Sequence, residues 1–101
     1  MNIKKQKSGN RLTITINGRI DTVSAPEAES FINENLGETQ ELILDFKDVN
    51  YVSSAGLRVL LSLQKKMNAR GEMKLINVSE AVSDVFEVTG FSEIIDYETG
   101  E

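Results

Sequence analysis

The segment YVSSAGLRVLL, residues 51–61, sets two serines and a glycine between an apolar run and an amphipathic one. Hydroxyls placed there can do three things. A serine can cap a helix by accepting an N–H that the first turn leaves free. It can attack as a nucleophile when a base lies beside it. It can accept a phosphoryl group from the active site of another protein. The chain has no histidine and no cysteine, which excludes a Ser-His-Asp triad, thiolate catalysis, disulfides and zinc-thiolate sites. A Ser-Lys arrangement would need Lys47 or another lysine buried and desolvated, and the pattern gives no sign of one. Chemistry in this chain rests on carboxylates, hydroxyls or a group that a partner brings.

The carboxylates Asp21, Asp45 and Asp48 fall near strand ends, and three converging there could hold magnesium. The acidic pair after the first strand and the late lysine of receiver domains are not evident. The preferred reading is that Asp45 and Asp48 shape a loop and Asp21 orients backbone before a helix. No metal and no cofactor are expected. Arg58, one turn into the helix after the serines, is read as an exposed helix arginine or as a contact for a partner or phosphate.

These residues need elements to place them. RLTITING alternates, with Leu12, Ile14 and Ile16 on one side, as a half-buried strand does. NIKKQK before it predicts an edge strand whose lysines discourage unwanted pairing, with Ser8-Gly9-Asn10 as the hairpin turn. Ser24-Ala25-Pro26-Glu27 has the form of a capping box. The helix it opens has Ala28, Phe31, Ile32 and Leu36 on one face and Gly37 as its stop. ELILDF holds a continuous apolar run, which predicts a central parallel strand buried on both faces. A short loop, KDVNYV, follows it, with Tyr51 and Val52 as core or loop anchors.

The serine helix is expected from about 54 to 70, with Leu57, Leu60, Leu61 and Met67 inward and Gly71 ending it. In α/β sheets, binding loops gather at the carboxyl ends of strands, so Ser54 lies at or beside a helix N-cap on the functional edge. MKLINV predicts a further strand. Ser79 caps a helix with Val82, Val85 and Phe86 inward and Gly90 as its stop. EIIDYE is a last short strand or a docking tail, and Phe91 closes the last helix. The order is β-β-α-β-α-β-α-β. Its alternation implies crossover units and a mostly parallel sheet.

The chain's 101 residues suit one domain, 1–101. Its net charge of −5 argues against a nucleic-acid partner. The clusters at Lys4, Lys5, Lys7 and at Lys65, Lys66, Arg70 read as a solvated face and a helix C-terminus. No apolar stretch follows MNIKKQKSGN to make a secretory leader, and runs such as VLLSL are too short to span a bilayer. The expectation is a soluble, cytoplasmic protein with no membrane partner, and a monomer, since nothing demands an oligomer.

With these elements in place, DFKDVNYVSSAGLRVLL resembles the signature of STAS domains (sulphate transporter and anti-sigma factor antagonist). The likeness is greatest to the free-standing single-domain bacterial anti-sigma factor antagonists. In that family an Asp-rich strand end leads through an aromatic-apolar pair to an Asp-Ser-Ser/Thr-Gly-Leu segment opening a helix. The first serine after the Asp is phosphorylated. Placed here, the Asp position is Ser53, the acceptor Ser54, the next hydroxyl Ala55 and the glycine Gly56. The family's Gly-Glu-Leu-Asp appears as Gly18-Arg19-Ile20-Asp21, and GEMKLINVSEAVSDVFEVTGFSEII resembles its closing strand, helix and tail.

The resemblance implies the STAS fold, a mixed, mostly parallel sheet of about four to five strands with helices packed against it. It also implies a partner-switching protein that is not an enzyme. Unmodified, it would bind an anti-sigma factor that is a serine kinase of the histidine-kinase-like ATPase fold. Phosphorylation of Ser54 would release it, and a phosphatase of the protein phosphatase 2C type would restore it. The partner-binding residues implied are Asp21, Ser53, Ser54, Ala55, Gly56, Leu57 and Arg58. A constitutive STAS scaffold or a regulatory subunit of a transporter or signalling assembly, with Ser54 only a cap and no phosphoswitching, is the alternative.

Overall fold

The computed structural model describes residues 2–100. In chain order these form β1 (Asn2–Ser8), β2 (Arg11–Ile20), α1 (Ser24–Leu36), β3 (Glu41–Val52), α2 (Ser54–Asn68), β4 (Glu72–Val78), α3 (Glu80–Thr89), a 3-10 turn (Phe91–Glu93) and β5 (Tyr97–Thr99). The alternation of RLTITI does what it predicts. Leu12, Ile14 and Ile16 are buried, while Thr13 and Thr15 face the other way. β1 pairs antiparallel with β2 across the expected hairpin, Ser8 opposite Arg11, and its lysines are exposed at the sheet edge.

The sheet order is β1-β2-β3-β4-β5, with every pair after the first hairpin parallel. This is the expected mixed sheet, with five strands. Each parallel crossover steps the same way across the sheet, and a right-handed crossover can then lay its helix on only one face. Leu12, Leu42 and Met73 share one register row on that face, as do Ile14, Leu44 and Leu75. With Phe46, Phe86, Leu63 and Met67 they make the core. On the other face Thr13, Ile43, Asp45, Lys74 and Ile76 are half-buried. The expectation that ELILDF is buried on both faces is therefore corrected. The strand is central and parallel, but no helix crosses behind it.

KDVNYV is also corrected, from loop to strand. β3 runs on to Val52, paired with β2 as far as Ile20, by taking two extra residues into the ladder. Its buried side chains change from every second residue, Leu42, Leu44 and Phe46, to every third, Phe46, Val49 and Val52. Bulges of this kind break a period-two pattern while keeping the apolar residues on the core side.

In α2, Leu57, Leu60, Leu63 and Met67 are buried, and Leu61, expected inward, is only half-buried. α3 ends where Gly90 takes a left-handed conformation at φ 83°. The tail resolves into the short turn and β5. Tyr97 packs edge-on to Phe86 at 5.1 Å, and its hydroxyl lies 3.0 Å from that of Ser83. Ile95 is buried in the core, and Phe91 packs against it.

Candidate functional site

The carboxyl ends of β2 and β3 lie side by side, Ile20 opposite Val52, and each leads directly into a helix. The Ser53 N–H donates to the Ile20 carbonyl at 2.8 Å, which carries the strand pairing one residue past β3. Gly56, in the first turn of α2, then settles onto both strand ends. A Cβ there would lie 2.8 Å from Val52 Cγ1, 2.9 Å from Ile20 Cγ2 and 3.0 Å from the Ile20 carbonyl oxygen. Only a residue without a side chain allows so close an approach.

Ser53 is held extended by that pairing, at φ −83° and ψ 175°, and becomes the cap of α2. Its Oγ accepts the Gly56 N–H at 3.2 Å, and its carbonyl accepts the Leu57 N–H at 2.9 Å. Ser54 is thus the first residue of the helix rather than its cap. Its side chain is exposed and enters no hydrogen bond among the described residues. The reading of Ser54 as a plain cap is overturned, because the preceding serine already does that work.

α1 begins differently. The capping box expected of Ser24 and Glu27 does not form. The first helical hydrogen bond runs from the Ala25 N–H to the Asp21 carbonyl at 2.8 Å, three residues earlier than the box requires. Asp21 Oδ1 accepts the N–H groups of Val23 and Ser24, each at 3.0 Å. Asp21 is therefore the cap. Ser24 is buried, its Oγ donating to the Arg19 carbonyl at 2.6 Å and accepting the Asp21 N–H at 2.9 Å. The Ser24 backbone N–H, more than any other group, holds the Asp21 carboxyl below the ordinary carboxylate range. Partial desolvation opposes this, and the Ser24 hydroxyl, the Val23 N–H and the Arg19 charge assist it.

Sequence patterning missed three residues at this edge. The Arg19 guanidinium stacks over the Tyr51 ring at 4.2 Å and reaches Asp21 Oδ2 at 3.8 Å. Tyr51, expected as an anchor in core or loop, is 42% exposed, and Val23 at the start of α1 is 85% exposed. The signal was present for two of them. Arg19 and Tyr51 each precede a core residue, Ile20 and Val52, so strand alternation turns them outward once both strands are known to run this far.

Of the seven residues singled out in the sequence, Ser54 and Arg58 are exposed, and Asp21, Ser53 and Ala55 are half-buried. Gly56 and Leu57 are buried, so they position the helix rather than face a partner. Asp45 and Asp48 do not join this edge. Asp45 pairs in register with Thr15, six residues before Asp21, about 20 Å along the strand. Its Oδ1 accepts from the Lys47 N–H and from Asn77 Nδ2. Lys47 is exposed on the same distant stretch, too far to serve Ser54 as a base. Among the described residues no helix is long and apolar enough to cross a membrane.

Comparison with known proteins agrees with this geometry. The STAS domain family profile matches residues 2–101. The anti-sigma-B factor antagonist of Bacillus subtilis is 32% identical over 97 residues, covering 95% of this chain and 89% of that one. Among solved structures, an anti-sigma factor antagonist from Mycobacterium paratuberculosis superposes with a TM-score of 0.85 at 20% identity, over 95% of this chain and 83% of that one. The Bacillus cell fate determinant SpoIIAA in its phosphorylated form gives 0.74 at 19% identity, over 97% of this chain and 92% of that one.

Proposed function

The chain belongs to the STAS domain family, and on that premise we propose that it is an anti-sigma factor antagonist switched by phosphorylation of Ser54. Family members of this kind are regulatory binding proteins rather than enzymes, and no catalytic residue is assigned. The unmodified protein binds an anti-sigma factor that is also a serine kinase of the histidine-kinase-like ATPase fold, and so frees the sigma factor. The kinase transfers the γ-phosphoryl group of ATP to Ser54 Oγ. The new O–P bond replaces the bond to ADP, and the hydroxyl proton passes to a base in the kinase. A phosphatase of the protein phosphatase 2C type hydrolyses the phosphoserine and resets the switch.

One observation carries this reading: Ser54 is exposed and structurally unemployed, because Ser53 caps the helix. A hydroxyl in that state can be modified without undoing the fold. Phosphate adds a charge of roughly −1.5 to −2, which the start of a helix accommodates. The contact surface is Ser54 with Asp21, Ser53, Ala55 and Arg58, extended by Val23, Tyr51 and Arg19. Exposed apolar groups such as Val23 and Tyr51 suit a partner that must be bound and then expelled, since a fresh charge among them forces desolvation or separation.

The test is intact-mass and phosphopeptide analysis of the protein from its native cells. One phosphate is expected at Ser54, absent from Ser54→Ala and retained in Ser53→Ala. Ser54→Asp should bind the kinase more weakly than Ser54→Ala. No phosphate under varied growth conditions, with equal binding by all variants, would leave a constitutive STAS scaffold instead.

A further inference from the structure

We propose, resting on Ser54 as the acceptor, that Arg58 captures the Ser54 phosphate within the same helix and is the residue through which the phosphate acts on the partner surface. Ser54 and Arg58 are both exposed on α2 and lie four residues apart, which sets them one above the other on one helix face. Their order is the favourable one, with the anion nearer the helix N-terminus and the cation nearer the C-terminus. A guanidinium fork matches two phosphate oxygens at once.

Arg58 is also unengaged. Its neighbours three and four residues away are Ser54, Ala55, Leu61 and Ser62, none of them acidic. The ion pairs among the described residues join Arg11 to Glu41, Arg19 to Asp21 and Lys74 to Glu98. Arg19, the other cation near this edge, is held by Asp21 and Tyr51. A new anion on α2 therefore finds Arg58 free and Arg19 occupied.

The consequence reaches beyond Ser54. Arg58 heads a groove along α2 that it lines with Leu61, Ser62 and Lys65. Leu61 is half-buried between the two cations. In the unmodified protein this stripe suits an acidic partner segment that also carries an apolar side chain. When the phosphate draws Arg58 back, the stripe falls from two positive charges to the one on Lys65. A single phosphate then both adds negative charge at the contact and withdraws a cation from it.

The test uses the full chain with phosphoserine incorporated at position 54 during translation, titrated by phosphorus NMR at low salt. The phosphate midpoint should lie about 0.15–0.4 of a pH unit lower in the otherwise wild-type chain than in Arg58→Ala. Arg58→Lys should fall between them, the difference should shrink as salt is raised, and the Arg58 Nε–H resonance should move on phosphorylation. The other charges near this face, Asp21 and Arg19 at the end of β2 and Lys65 on α2, are the same in all three proteins. Equal midpoints in wild type and Arg58→Ala with an unmoved Nε–H resonance would overturn the proposal. So would a midpoint that responds to Arg19→Ala but not to Arg58→Ala. Because no kinase installs this phosphate, failure of the pairing leaves the switch itself standing. Conversely, an unphosphorylated protein in cells would count against the switch and not against the pairing.

Discussion

Ser24 and Ser54 stand at the starts of neighbouring helices, at the ends of neighbouring strands, and in local sequence each looks like a cap. Neither is one. Ser24 is buried, with its hydroxyl tied to two backbone groups of the β2–α1 connection, while Asp21 caps its helix. Ser54 is exposed and free, while Ser53 caps its helix. The two starts differ in who holds the backbone. In the first, a carboxylate and a hydroxyl form one closed set of bonds, and nothing is left over. In the second, strand pairing and a single hydroxyl suffice, and the next hydroxyl is left for chemistry. A serine at a helix start is therefore structural or available according to which of its neighbours has already satisfied the free N–H groups.

Substitutions can break this contrast in order of size. Gly56→Ala should cost most, about 2–3 kcal/mol, because its Cβ meets a strand carbonyl that cannot move without breaking the sheet. Chemical denaturation should show the loss. Ser24→Ala should cost about 1.5–2 kcal/mol, since it strands the Asp21 N–H and the Arg19 carbonyl together. Ser53→Ala removes one cap bond and should cost about 1 kcal/mol by the same measurement. Ser54→Ala should stay within about 0.5 kcal/mol of wild type. A loss at Ser54 as large as that at Ser24 would erase the distinction between the two serines.

Acid sharpens it further. The folded Asp21 carboxyl titrates below its unfolded value of about 3.9. Its contribution is therefore fully present above that value and is lost as pH falls through the lower folded value. Asp21→Asn should flatten the decline of stability with acid in that window. No substitution at Ser53 or Ser54 should do so, because the start of α2 carries no acidic group in its first turn.

The order of elements, the edge hairpin, the parallel sheet and the glycine stops of α1 and α3 were legible because each depends on local pattern. RLTITI alternates, Ser79 caps α3 as expected with its Oγ accepting the Val82 N–H at 3.2 Å, and Gly90 ends that helix. What misled was local pattern that long-range pairing overrode. The second half of β3 looks like a loop because two bulges change its period, and only its register with β2 explains them. The open face of the sheet was missed because Ile43 and Ile76 are as apolar as core residues, and only the handedness of the crossovers leaves them uncovered.

The residue types alone determined that this chain has no imidazole or thiol chemistry, and the SSAG segment marked where any chemistry at a helix start would be. They could not decide which serine does what. A hydroxyl's role depends on which backbone groups still lack a partner, and at this edge that was decided across strands, by the Ser53 N–H reaching the Ile20 carbonyl and Gly56 seating α2 on Ile20 and Val52. The contacts with Ile20 join residues more than thirty positions apart in the chain. They keep Ser53 extended, place the cap there, and leave Ser54 facing outward, one helical turn from Arg58.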